Sequence, residues 1–298
     1  MGVILAITGD HHANSTVGLC PSSFKLDDGG LHVASERQRW IWGRWLAFWR
    51  SVQNVKEHTG WPVTSIILGE IVDDLNHKHK TTQVITNNKA DIIRLGETTL
   101  APVLETADNI VVLRGTEAHS GPSACLDEIL AENIGAERSP QGTYSWWQYR
   151  AVYDGVVIDA AHHPGTRTLT PHTAGNEANR LASKIFYEYG KENIIRSRSG
   201  QEMVPWPHLV LRGHNHRPAD SGDNQPGGHP LTAVRAIITP SWQVGTAFGY
   251  RLGGDTLPIG GLIITCKDAR FKVHKIYYWP SSGLFPSADS WSAATIIQ

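Results

Sequence analysis

Residues 3–8 form a short apolar run that closes on Gly9-Asp10, which predicts a buried strand. After a loop rich in Ser, Asn, Gly and Asp, Ser35 and Gln38 stand at capping-box spacing. The helix they open is predicted to reach residue 58, with Ile41, Trp45, Phe48, Trp49 and Val52 on one face. That stripe reads as core packing against a sheet in preference to a base-stacking surface. Strands are predicted over 65–68 and 109–113, and helices over 82–106, bent at Pro102, and over 123–134. The texture then changes. Runs over 146–153 and 156–161 flank Asp154-Gly155, a strong hairpin signal. A long connection, 165–207, carries a predicted helix over 176–189 with Leu181, Ile185, Phe186 and Tyr189 on one side. Further strands are expected over 208–211, 234–239, 262–266 and 271–279, the last two around a Lys-Asp-Ala-Arg turn. Alternating strands and helices followed by hairpins predict an α/β domain with two stacked mixed sheets and helices outside.

Composition narrows the class. The chain has 298 residues, 40% hydrophobic and 18% charged, which excludes a disordered or collagen-like chain and suffices for one large domain. No run of about 18 apolar residues exists to form a membrane-spanning helix. With 27 Lys and Arg against 28 Asp and Glu, the balance weakly disfavours long duplex DNA as a partner. Cys20, Cys125 and Cys266 are far apart, which argues against a disulfide framework or a thiolate zinc site. The first residues lack a secretory pattern, so the expected setting is cytoplasmic. The count of 15 His directs attention to where the imidazoles fall.

They fall at strand ends. Asp10-His11-His12 closes the first strand, and Gly69-Glu70-Ile71-Val72-Asp73 the second. Arg114-Gly115-Thr116-Glu117-Ala118-His119 closes the third, His162-His163-Pro164 the hairpin, and Gly213-His214-Asn215-His216 the strand after it. Each alone reads as well as a surface pair, a helix-start acid or a turn. Five in order, each after an apolar run, deliver carboxylates and imidazoles to the end of the sheets where ligands bind in α/β folds. That donor set, without thiolate, suits divalent Mn, Fe, Ni or Zn. A bridging carboxylate suits two such ions about 3.5–4 Å apart.

The order Asp-x-His, Gly-Glu-x-x-Asp, Gly-Thr-Glu-x-His, His-x-Pro, Gly-His-x-His resembles the signature of the calcineurin-like metallophosphoesterases from Asp10 to His216. The resemblance implies a four-layer α/β/β/α sandwich in a single domain over 1–298. Residues 165–207 would form a substrate-side insertion, 280–298 a tail, and the C-terminal hairpins would complete the second sheet. It implies two divalent ions, manganese foremost, with Asp10, His12 and His216 on one and His162 and His214 on the other. Glu70 would bridge them, Thr116 would stand at the amide ligand's position, and Asp73 would orient a ligand. His162 is favoured over His163 as ligand because the family's ligand lies two residues before the proline; His163 is then on the substrate side. Two positions depart from the family. Glu70 replaces a bridging Asp, and Gly115-Thr116-Glu117-Ala118-His119 replaces Gly-Asn-His. Glu117 holds the place of the catalytic His, and His119 takes that role if the loop is reshaped; Glu117 is equally open as a ligand. The implied activity is hydrolysis of a phosphodiester or nucleotide-type phosphate by a metal-bound hydroxide; the partner is a phosphate ester, with a nucleotide or single-stranded nucleic acid among the candidates, and nuclease, cyclic-nucleotide phosphodiesterase, nucleotide pyrophosphatase and phosphoprotein phosphatase activities stay open. The alternative is a decayed member of the fold serving as a binding module.

Arg114 and Arg217 are the foremost candidates to hold substrate phosphate. Arg167, Arg180, Lys184, Arg196, Arg198 and Arg212 are further ones, though each reads more readily as a surface charge. The segment Asn76-His77-Lys78-His79-Lys80 reads as a polar loop or a cleft lining. Trp146, Trp147 and Trp206 read as packing more readily than as base-stacking residues.

Overall fold

The first strand, β1 (Val3–Thr8), is buried over five of its six residues, as an unbroken apolar run requires. The computed structural model describes residues 2–75, 83–165, 176–224, 234–245 and 257–280. After β1 come a small ribbon, β2 (Ser23–Lys25) and β3 (Leu31–Val33), then α1 (Glu36–Thr59), β4 (Val63–Ile67), α2 (Lys89–Thr106) and β5 (Asn109–Leu113). Next are α3 (Glu117–Ser120), α4 (Cys125–Asn133), β6 (Ser145–Trp146), β7 (Tyr149–Tyr153), β8 (Val156–Ala160) and α5 (Asn176–Arg198). The chain continues with β9 (Leu209–Arg212), β10 (Ala219–Asp220), β11 (Arg235–Ile238), β12 (Ile259–Lys267) and β13 (Arg270–Tyr278).

Two mixed sheets result, in the orders β13-β12-β1-β4-β5-β6 and β10-β11-β9-β8-β7. Because side chains alternate across a strand, each sheet has two apolar faces to cover. Leu5, Ile7, Ile66 and Leu68 of the first sheet meet Ile158, Leu209, Leu211 and Ile237 of the second. The opposite face of the first sheet, with Ile4, Val63, Ile67 and Val112, is covered by Ile41, Trp45 and Phe48 of α1 and Leu95 and Val103 of α2. The outer face of the second, with Val210, Ala236 and Ile238, is covered by Leu181, Ile185 and Tyr189 of α5. The layers are therefore helix, sheet, sheet, helix, as expected.

The α1 stripe is core. Trp45 stacks edge-on against Trp242 with ring centres 4.8 Å apart, and Phe48 lies 5.7 Å from the same ring. The capping box forms: Gln38 N–H donates to Ser35 Oγ, and Ser35 N–H donates to Gln38 Oε1.

Four boundaries differ from expectation. Helix α2 starts at Lys89, because the Asn88 side chain accepts from Ala90 N–H and caps it there. The run 146–153 splits: Trp146 pairs with Leu113 in the first sheet while Tyr149 pairs with Ala160 in the second, so one apolar stretch serves both. Helix α5 runs on past Tyr189 to Arg198; Gly190 is tolerated within it, and the turn comes at Gly200, where φ is +68°. The C-terminal hairpin does not complete the second sheet. β12 lies antiparallel to β1 with Ile7 opposite Leu262, and its first six residues are all buried, which suits a position flanked by strands on both sides.

Among the described residues no helix is long and apolar enough to cross a membrane. Asn76, His77, Lys78, His79, Lys80 and Arg167, and the tail after residue 280, lie outside the described residues.

Candidate metal centre

The loops that leave β1, β4, β5, β8 and β9 are stitched to one another by main-chain bonds. Asp10 N–H donates to Gly69 O at 2.9 Å, His12 N–H to Glu70 O at 3.0 Å, and Gly213 N–H to His162 O at 3.0 Å. The turns are sharp. Asp10, His12, Glu70, His214 and His216 all have φ between 48° and 71°, a left-handed conformation that ordinarily costs a side-chain-bearing residue about 1–3 kcal/mol. Strain gathered on five expected ligands is a mark of a site whose geometry is held by the surrounding fold. Gly115 permits the closest approach: a Cβ there would meet the Glu70 side chain and lie 2.7 Å from Glu70 N.

These turns bring donors together in groups. Asp10, His12, Glu70 and His216 form a first and His162, His163 and His214 a second, while Asp73 and His119 gather with His12 in a third. In the first, His12 Nε2 lies 2.9 Å from His216 Nε2 and 3.3 Å from Glu70 Oε2, and His216 Nε2 is 3.4 Å from Asp10 Oδ1. Donors about 2.1 Å from one ion and at right angles are about 3 Å apart, so these spacings suit a shared cation. In the second group the ring centres of His162 and His214 are 5.1 Å apart, and those of His163 and His214 4.4 Å.

Glu70 joins the first two groups. Its Oε1 is 3.2 Å from His162 Nε2, while Oε2 faces His12. His162 Nδ1 donates to Leu68 O at 2.6 Å, which turns Nε2 toward the carboxylate. Nε2 is buried and has no hydrogen-bond partner, since the Glu70 approach lacks hydrogen-bond geometry. An orphaned imidazole nitrogen beside a carboxylate oxygen is what a cation between them would satisfy.

The charges point the same way. Asp10 and Glu70 are fully buried and Asp73 nearly so. Burial pushes the Glu70 carboxyl up, but His162, His119 and His12 outweigh it and hold it well below the usual range. Burial also opposes ionisation of Asp10, which His216 and His162 overcome. Burial disfavours charge on His162, yet Glu70 and Asp10 hold its pKa up at about 9. By contrast burial and the neighbouring His162 push His214 down to about 4, so it presents a neutral ring. Three buried carboxylates in one pocket demand positive charge, and divalent ions held by these residues would meet that demand.

Asp73 sits behind the donors. Its Oδ1 accepts from His12 Nδ1, the arrangement that fixes a ligating ring with Nε2 forward. His119 Nδ1 is 2.7 Å from the same oxygen, and its ring is 4.7 Å from that of His12, with about a third of the side chain open to solvent. Burial works against a charge on His119, but the hydrogen bond to Asp73 and the charges of Glu70, Asp73 and Asp10 raise its pKa to about 9.

Not every expected residue reaches the centre. The Thr116 hydroxyl, foreseen at a ligand's position, donates to Glu70 Oε1, and its N–H lies 3.2 Å from the same atom, so it positions the joining carboxylate. Glu117 is exposed and accepts from Ser123 N–H at 3.0 Å, outside these donor groups. Arg114 is engaged with Ser145 Oγ, Ser123 O and Glu128 and is not brought to the centre. His163 is at the centre beside His214. Arg212 is buried on Asp159, Arg196 pairs with Glu192, and Lys184 with Glu188.

Asp127 escaped the sequence reading. It is fully buried, and its carboxylate accepts from Glu70 N–H at 3.2 Å, Ile71 N–H at 3.1 Å and Gly115 N–H at 2.8 Å, tying the second and third loops together. Its only trace in the sequence is an acid in the first turn of a short helix, which dipole preference already explains.

No protein-family model matches the chain, and a search of curated proteins returns no match. Solved structures do overlap it. A 5'-nucleotidase precursor from Thermus thermophilus is 13% identical over 94% of this chain and 55% of its own, with a TM-score of 0.39. Vps29 from Chaetomium thermophilum is 9% identical over 94% of this chain and 100% of its own, at 0.36. The Thermus thermophilus sulfate thiohydrolase SoxB is 11% identical over 94% and 58%, at 0.37. The chain thus spans little more than half the length of the nucleotidase and the thiohydrolase. At these scores the reading of the site rests on its own distances.

Proposed function

We propose that the protein is a phosphoesterase with a pair of divalent ions, hydrolysing a phosphodiester or a nucleotide-type phosphate. The observation that carries this reading is Glu70, whose two carboxylate oxygens each face an imidazole nitrogen of a different donor group, at 3.2 and 3.3 Å. Asp10, His12 and His216 would hold one ion with Glu70, and His162 and His214 the other. Carboxylate and imidazole donors suit manganese first, with Fe, Zn or Ni compatible. Such ions would lower the pKa of water and neutralise charge on the phosphate oxygens.

The remaining work falls to side chains. Asp10 and Glu70 stay ionised, and Asp73 keeps His12 in the tautomer that presents Nε2. His119 is held by Asp73 through Nδ1, which leaves a proton on Nε2 directed away from that carboxylate. From there it can pass to the oxygen that leaves phosphorus, a contribution of roughly 10²–10⁴-fold. His163, beside His214, faces the substrate side.

The test is metal content and turnover in one preparation. After loading with Mn, two equivalents per chain and hydrolysis of bis-p-nitrophenyl phosphate that a chelator abolishes are expected. Two bound equivalents with no turnover of diesters or monoesters would favour the binding-module reading. One equivalent or none across Mn, Fe, Zn and Ni would overturn the two-ion centre.

A further inference from the structure

A cleft of about 280 Å³ opens between β10 of the second sheet and β13 of the first, lined among others by Arg217, Asp220, Pro258, Lys275, Tyr277 and Trp279. Strand register places it on the same rim as the metal centre. Ile7 pairs with Leu262 in antiparallel register, so the start of β12 lies at the end of the sheet from which the Asp10 loop leaves; Ser241 and Trp242 run between the two, with Trp242 N–H donating to Asp10 O and Gly260 N–H to Ser241 O, and Ile259 pairs with Tyr278, next to Trp279. On the other sheet Ala219 pairs with Ile238, which pairs with Arg212 at the strand end that leads to His214. Arg217 follows His216 directly, so the cleft begins one residue from a donor of the centre.

Its chemistry is aromatic and cationic. Trp279 is 65% exposed, a large apolar ring with little share in the core. Tyr277 adds a second ring and Arg217 a guanidinium. The acid present, Asp220, is matched by Arg235 at 2.7 Å and Lys275 at 3.0 Å, so the lining carries no net negative charge that would repel a phosphate-bearing ligand. The volume lies just below the roughly 300 Å³ at which small-molecule sites begin, so the cleft suits one ring system of a ligand that extends beyond it. Tyr277 is half-buried against the core between the sheets, so the ring open to stacking is Trp279, and an exposed Trp beside Arg and Lys is a surface on which a base stacks.

We propose that this cleft is a nucleobase subsite: Trp279 stacks the base of a nucleotide whose phosphate lies at the metal centre, and Arg217 contacts the phosphate or sugar between them. The proposal rests on the phosphoesterase reading and adds the substrate class, nucleotides or the end of a single strand, in place of phosphoproteins or sugar phosphates.

The test is calorimetric binding to the Mn-loaded protein of two probes that share a phosphate and sugar, thymidine 5'-monophosphate and deoxyribose 5-phosphate. The wild type is expected to bind the nucleotide at least tenfold more tightly, as one stacked base allows. Trp279→Ala should shrink that ratio to threefold or less, and Trp279→Phe should keep most of it. Trp279 is exposed, so neither variant threatens the fold. Equal binding of the two probes by the wild type, or an undiminished ratio in Trp279→Ala, overturns the subsite. A preserved ratio with no hydrolysis of any ester would instead overturn the phosphoesterase reading and leave the subsite standing.

Discussion

Asp73 Oδ1 lies 2.7 Å from Nδ1 of His12, across 61 residues of sequence. The same oxygen lies 2.7 Å from Nδ1 of His119, so one buried carboxylate orients a ring of the first donor group and the ring proposed as proton donor. Asp73→Asn removes the charge that holds both. Metal affinity is expected to fall about 10–100-fold, the usual cost of losing a carboxylate behind a ligating imidazole. Titration of the metal-free variant with Mn checks this, and unchanged affinity would remove Asp73 from the centre.

His119→Ala separates proton donor from ligand. The proposed role predicts a drop in kcat of about 10²–10⁴-fold with two metal equivalents retained. If metal content falls with activity, His119 is a ligand and another group must serve the leaving oxygen.

Gly115→Ala tests whether the third loop must touch Glu70. The new Cβ would meet the Glu70 side chain and the Asp127 carboxylate, the latter at 3.0 Å, and neither is free to move far in the core. Displacing the joining carboxylate by about 1 Å is expected to cost on the order of 100-fold in activity and one metal equivalent while the circular-dichroism spectrum stays native. Retention of both equivalents would show that Glu70 does not bridge.

Asp220 links stability to pH. Burial raises its pKa, but Arg235, the Gly222 N–H and Lys275 outweigh this and bring it below the ordinary value of 3.8. A depressed folded pKa means the unfolded chain binds the proton more readily, so the contribution is complete above the unfolded value and is lost as pH falls through the folded one. Asp220→Asn should therefore lower Tm by about 2–4 °C at pH 7, and the gap to wild type should close below pH 3.8. A gap independent of pH would assign the effect to packing.

Most of the long elements and the inventory of donors are legible in the sequence, whereas the β2–β3 ribbon lies in a stretch that reads as a loop. The run of β1, the capping box at Ser35 and Gln38, and the Asp154-Gly155 turn are local signals, carried by neighbours a few residues apart. Asp10, His12, His162, His214 and His216 were legible because each follows an apolar strand, and strand ends in such folds converge. What the sequence could not decide depends on contacts without local signature. One apolar run, 146–153, divides between two sheets, and the C-terminal hairpin joins β1, because burial on both faces is satisfied equally well in either sheet until neighbours are known. The same holds at the site. Thr116 turns its hydroxyl to Glu70, Glu117 turns out to Ser123, and Asp127 pins two loops from beneath. A residue type and a spacing state what a side chain can do; only the packed chain decides which partner is within 3 Å to do it with.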